Sequence, residues 1–132
     1  MFSIPVSPGE LLDRWTILHV KAERLRSSDQ LVAIEKEVDS IRETSEALLL
    51  EEGVGVLVSR LYEANAAMWD AMESVYQWEG DREGKLFNDL LISIIDQNKE
   101  RAIQKRKLDL LLKSGFVEAK SFFVSGDSSD TI

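Results

Sequence analysis

The stretch Ser7-Pro8-Gly9-Glu10-Leu11-Leu12-Asp13-Arg14-Trp15-Thr16-Ile17-Leu18-His19-Val20-Lys21-Ala22-Glu23-Arg24-Leu25 decides the fold class. Ser7 is a helix-capping residue type, and Pro8 follows at the first helical position, where its missing N–H costs nothing. Glu10 stands three residues after Ser7 and completes a capping box. Leu11, Trp15, Leu18, Ala22 and Leu25 then recur at helical spacing. Ile17 and Val20 point away from that stripe. A helix that is apolar on more than one side is covered on more than one side, so this one is expected to lie centrally in a bundle or at a subunit interface.

Three more helices follow. Ser27-Ser28-Asp29 breaks the chain, and Asp29 is the expected cap of a second helix. Leu31, Ile34, Val38, Ile41 and Leu48 form one stripe on it, opposite Glu37, Arg42, Glu43 and Glu46, which predicts an outer helix. Glu51-Glu52-Gly53-Val54-Gly55 ends it. The third helix is expected over 56–79, with Leu57, Leu61, Asn65, Met68, Met72 and Val75 on its stripe and Trp69 and Tyr76 beside it. Gly80-Asp81 stops it. The fourth is expected over 85–113, with Gly115 as its stop. Short links between long helices favour antiparallel neighbours. The expected fold is therefore all-α, an antiparallel up-and-down bundle of about four helices. Phe116 to Val124 alternates weakly and is expected to form a short extended segment on the bundle. The expected single domain covers 1–124, and 125–132 is expected to be a flexible acidic tail.

Composition bounds the function. The chain has 132 residues, which fits one domain, and 44 % apolar residues supply a core. It contains no cysteine, which excludes disulfides, thiolate metal sites and a cysteine nucleophile. Met1 to Trp15 has no basic region followed by an apolar run, so no secretory signal is expected. No apolar stretch reaches the roughly 20 residues of a membrane span. The expected location is cytoplasmic. The formal net charge of −8 repels phosphate backbones and anionic lipids, so neither nucleic acid nor membrane is an expected partner. Lys99, Arg101, Lys105, Arg106, Lys107 and Lys113 crowd one segment, and cations in the C-terminal half of a helix suit its dipole.

One stripe departs from the pattern. Phe87, Leu91 and Ile94 begin the inner face of the fourth helix, and at about 100° per residue the next positions on that face are Asn98, Arg101 and Lys105. Leu108 and Leu112 restore the apolar character. Asn65 interrupts the third helix in the same way. Buried polar groups require partners and buried charges require opposite charges. Glu10, Asp13, Asp70, Glu73 and Glu118 are the candidate carboxylates. One reading is an internal network that fixes helix register. A second is a pocket in which Asn98, Arg101 and Lys105, with Asn65, meet an anionic small molecule, since guanidinium and ammonium groups suit carboxylate or phosphate; a third is plain surface exposure of the cations on snorkelling stems. Arg106, about 100° round the helix from Lys105, is expected to lie off the stripe and in solvent.

Glu10 and Asp13 form an E-x-x-D pair, and Asp70 and Glu73 form a D-x-x-E pair. Such spacing puts two carboxylates on one helix face. All-α nucleoside triphosphate pyrophosphohydrolases hold Mg²⁺ with pairs of this kind, but their denser pattern, E-E-x-x-E followed by E-x-x-D, lacks its first half here. Asp13 and Asp70 are also expected to project opposite the main apolar stripes. No metal site and no cofactor are expected. His19 is the single histidine, a packed or capped side chain with no nucleophile tied to it. No phosphate-cradling glycine loop is present. Trp15, Trp69 and Trp78 read as core or interface anchors.

Three segments together carry a resemblance. They are Ile4-Pro5-Val6-Ser7-Pro8-Gly9-Glu10-Leu11-Leu12-Asp13 with Thr16-Ile17-Leu18; Asn65 to Glu73, read N-A-A-M-W-D-A-M-E; and Asn98-Lys99-Glu100-Arg101-Ala102 with Lys105, followed by Val117 to Phe122. The chain resembles a family of short bacterial proteins, classed as a domain of unknown function, that opens I-P-V-S-x-G-E-L-x-D-K-x-T-I-L. The resemblance runs from about Ile4 to Phe123 and departs from the motif at Arg14-Trp15, where Lys-Ile is expected. It implies no activity. It implies a link to surface-polysaccharide or sugar metabolism, and it marks Glu10, Asp13, Asn65, Asn98, Arg101 and Lys105 as family features.

Two functions remain in view. The first is a self-associating accessory or adaptor protein, a homodimer through the first helix and its neighbours, with Ile17 and Val20 at the interface. The alternative is an all-α domain that binds a phosphorylated small molecule or nucleotide, or hydrolyses one with a metal. In it Asn65, Asn98, Arg101 and Lys105 hold the anion, and Glu10, Asp13 and Glu118 are their acidic partners.

Overall fold

The structure, a computed structural model, describes residues 2–113. Four helices make up the described chain, and it contains no strand: α1 (Pro8–Arg24), α2 (Ser28–Leu49), α3 (Val54–Tyr76) and α4 (Lys85–Leu111). The helices pack through long-range contacts, so the all-α bundle is as expected. The segment 116–124, Glu118, the Gly115 stop and the tail 125–132 lie outside the described residues.

Local sequence sets the helix ends. The Ser7 hydroxyl accepts from the Glu10 N–H at 3.1 Å, and Pro8 opens α1. Only half of the expected capping box forms, because the Glu10 carboxylate accepts from Lys105 on α4 instead. Ser27, not Asp29, precedes α2, and its side chain makes no capping hydrogen bond. Gly53 takes φ +83° immediately before α3, a conformation that costs glycine little. That turn starts α3 at Val54, two residues earlier than expected, and the helix stops at Tyr76, three earlier. α4 ends at Leu111, and Lys113 adopts φ +54°, a left-handed exit from the helix.

α1 is the central element and packs against α2, α3 and α4. It is antiparallel to α4, because Gly9 meets Asp109 whereas Asp13 meets Arg101. It runs in the same sense as α3, because Asp13 and Thr16 meet Asn65 and Arg24 meets Asp70. α3 and α4 form an antiparallel hairpin, with Gly53 beside Leu111 at one end and Trp78 on Phe87 at the other.

The two apolar sides of α1 serve two cores. Leu12 joins Val54, Val58, Leu61 and Leu108 in one, and Leu18 joins Ile34 and Val38 of α2 in the other. Leu12, Leu61 and Leu108 are fully buried, each contributing about 1.5–3 kcal/mol of transfer free energy. α2 packs mainly on α1 and turns Glu37, Glu43 and Glu46 to solvent, as its single stripe requires.

α4 differs from its reading. Its buried residues are Ala102, Gln104, Lys105, Arg106, Leu108 and Asp109, all in the C-terminal half. Three consecutive buried positions, 104–106, mean that this half is covered on more than one side. Arg106 is therefore only 4 % exposed, not in solvent. In the N-terminal half, Leu86, Leu91, Ile92 and Ile95 are exposed, although Leu91 was expected on the buried face.

Candidate functional site

The polar stripe of α4 lies along α1 as three rungs, one turn apart on α4. Asp109 Oδ1 accepts from the Gly9 N–H at 2.7 Å, Lys105 Nζ donates to Glu10 Oε1 at 2.6 Å, and Arg101 donates to Asp13. The spacing 101, 105, 109 is i, i+4, i+8, so one face of α4 presents all three groups to the first turns of α1.

The Arg101 rung is bidentate. Nε reaches Asp13 Oδ1 at 2.9 Å and Nη2 reaches Oδ2 at 2.6 Å, and Nη1 donates to Asn98 Oδ1 at 3.3 Å. A planar guanidinium matches the two carboxylate oxygens in this way, whereas an ammonium meets one of them. Asn65 completes the site from α3. Its Nδ2 donates to Asp13 Oδ1 at 3.0 Å and to Thr16 Oγ1 at 2.8 Å, and Thr16 Oγ1 donates to the Asp13 carbonyl at 2.8 Å. Asp13 is 3 % exposed and faces the centre of the bundle. The expectation that it projects away from the apolar stripes fails because α1 is enclosed on three sides, so its interior is wider than one stripe.

The Lys105 side chain is buried, while Glu10 stays half in water. Asp109 is buried at the start of α1, where the free N–H groups of the first turn favour an acceptor. Burial pushes its carboxyl above the ordinary value, and the Glu10 charge adds to the rise. Hydrogen bonds from the Gly9 N–H and the Ser7 hydroxyl, with the Lys105 charge, pull the other way. Gly9 makes the approach possible, since a Cβ there would meet the Lys105 carbonyl oxygen and lie 2.8 Å from Asp109 Oδ1.

The structure thus brings together Glu10, Asp13, Asn65, Asn98, Arg101 and Lys105. Glu118 lies outside the described residues. Gly9, Thr16 and Asp109 belong to the same network and escaped the sequence reading. Asp109 is one turn beyond Lys105, and that spacing was the available signal. Asp70 sits elsewhere, paired with Arg24 at 2.9 and 3.1 Å at the far end of α1. The two carboxylate pairs therefore do not converge, and no three metal-ligating side chains gather among the described residues. His19 Nδ1 lies 2.7 Å from the Trp15 carbonyl, with its ring 4.4 Å from the Trp15 ring.

Two depressions flank Ile17 and Arg101. A polar one of about 270 Å³ runs between α1 and α2, with Glu10, Arg14, Lys21 and Glu37 on its walls. An apolar groove of about 160 Å³ lies on the other side, lined by Ile17, Val20, Met68, Trp69 and Met72, with Asn65 and Arg101 among its lining residues. Val20 is buried within the chain itself. No helix among the described residues is long and apolar enough to cross a membrane.

Comparison with protein-family models, with curated proteins and with solved structures gives no match to this chain.

Proposed function

We propose that the chain is a self-associating accessory protein, and that a second copy covers its apolar groove. The groove itself carries the reading. Ile17, Val20, Met68, Trp69 and Met72 line it, and beyond it Tyr76 on α3 and Leu91, Ile92 and Ile95 on α4 are exposed. Apolar side chains gathered round a depression mark a protein-docking face more than scattered exposed residues do. The neighbouring surface favours a copy of the same chain. Across Ile17 and Arg101 from the groove, the polar depression sets Arg14 and Lys21 beside Glu10 and Glu37, so a two-fold operation that extends over it can set carboxylates against cations.

The polar rungs play a structural part in this account. Both Asp13 oxygens accept from Arg101, through Nε and Nη2, and Lys105 donates to Glu10, so these cations of the stripe hold α1 on α4. Association through this face makes the thermal midpoint rise with protein concentration. Met72→Glu removes that dependence while leaving the helical circular dichroism spectrum intact. A midpoint that is the same at all concentrations for the unsubstituted chain rejects the reading.

A further inference from the structure

The residues ahead of the Ser7 cap, 2–6, are all exposed. Phe2, Ile4 and Val6 alternate along this segment and are 97 %, 77 % and 50 % exposed. In an extended chain, alternate residues share one side, and Pro5 holds Ile4 in extended conformations. The segment is thus a short arm with three apolar side chains on one edge. It carries no charged side chain, so it approaches another acidic chain without side-chain repulsion.

We infer that Phe2 of one copy inserts its ring into the Ile17–Val20–Met68–Trp69–Met72 groove of a second copy. The inference rests on the self-association proposed above and names the element that does it. Three observations carry it. The groove volume, about 160 Å³, suits a single aromatic ring, as an apolar protein cavity of roughly 150 Å³ takes up benzene. The groove offers Trp69 for ring contact and Met68 and Met72 for sulfur–aromatic contact. The arm's own groove is poorly placed for it. Ser7 is extended, with φ −75° and ψ 159°, so the chain enters α1 from beyond its end. Val20 lies about 20 Å along the helix from Ser7. Ile17, the nearer wall of the groove, lies about 15 Å from Ser7 on the same measure, and the residues from Phe2 to Val6 span at most about 17 Å, so only a fully reversed and fully extended arm meets its own groove. A partner's arm has no such limit.

The absence of cysteine from the chain allows a direct test. Phe2→Cys protein is mixed with Met72→Cys protein, one of them carrying a small tag so that mixed and like pairs separate on a non-reducing gel. Under mild oxidation the mixed disulfide is expected to dominate, since a disulfide forms only when the Cα atoms come within about 7 Å. Phe2→Ala is expected to weaken dimerisation by about tenfold or more, as loss of a buried aromatic anchor does. Its folding control is an unchanged thermal midpoint at concentrations where both proteins are monomeric. Mixed disulfides no more abundant than like pairs overturn the arm insertion, as does an unchanged dissociation constant for Phe2→Ala. In either case a dimeric parent chain leaves the self-association reading standing. A parent chain that is monomeric throughout overturns both.

Discussion

Arg101 on α4 grips the Asp13 carboxylate of α1 through Nε at 2.9 Å and Nη2 at 2.6 Å, joining residues 88 positions apart. The pair decides how α1 sits on the hairpin of α3 and α4. Arg101→Ala leaves Asp13 buried with Asn65 as its remaining side-chain donor from another helix. Losing one partner of a fully buried pair costs roughly 3–5 kcal/mol. The Arg101 side chain keeps 29 % of its exposure, so water screens part of the loss and about 2–4 kcal/mol is expected. Arg101→Lys recovers only part of it, because an ammonium cannot make both bonds. Urea unfolding of the three proteins checks the order.

Gly9→Ala tests the closeness of α1 and α4. The added methyl would press on the Lys105 carbonyl and on Asp109. Helix propensity alone favours alanine over glycine by roughly 1 kcal/mol. Overpacking of this kind costs about 1–3 kcal/mol, so a net loss of stability in chemical denaturation is expected. A gain would mean that the two helices are less tightly apposed.

Asp109 gives a pH dependence opposite to ordinary acid unfolding. Burial raises its carboxyl in the folded chain, so the native state holds this proton more tightly than the unfolded state does. The stabilisation is fully present below the unfolded carboxyl's pKa of about 3.9 and is lost as pH rises through the elevated folded value. Stability relative to Asp109→Asn should therefore increase as pH falls from 7 towards 4. A parallel pH profile for the two proteins would show that Asp109 titrates as it does when unfolded.

Arg106→Ala tests a residue whose placement the helical wheel missed. At 4 % exposure, its stem packs inside the bundle, and truncation is expected to cost more than about 1 kcal/mol through lost contacts. A loss within about 0.5 kcal/mol is what an exposed arginine would give.

These residues also show what a sequence can reveal here. Ser7, Pro8 and the leucine spacing fixed α1, and the single stripe of α2 fixed its outer position. Asn98, Arg101 and Lys105 stood out because they interrupt an apolar line, and Asn65 did so on α3. Arg106 was misplaced because one face was read on α4, whereas its C-terminal half is covered from several directions. Asp13 was misplaced because the two apolar sides read on α1 leave out the polar side that meets Asn65 and Arg101. Gly9 escaped notice because its importance is a close approach to Asp109, 100 positions along the chain. Leu91 looked internal because periodicity records which residues share a face and not whether a neighbour covers it.

The central claim, pairing through the groove between α1 and α3, is tested most directly by the mass of the unsubstituted chain in light scattering across a dilution series. The account predicts twice the 14.9 kDa chain mass at high concentration, falling towards the single-chain value on dilution. It also predicts the single-chain value at every concentration for Met72→Glu. A mass of 14.9 kDa at every concentration of the unsubstituted chain would contradict it.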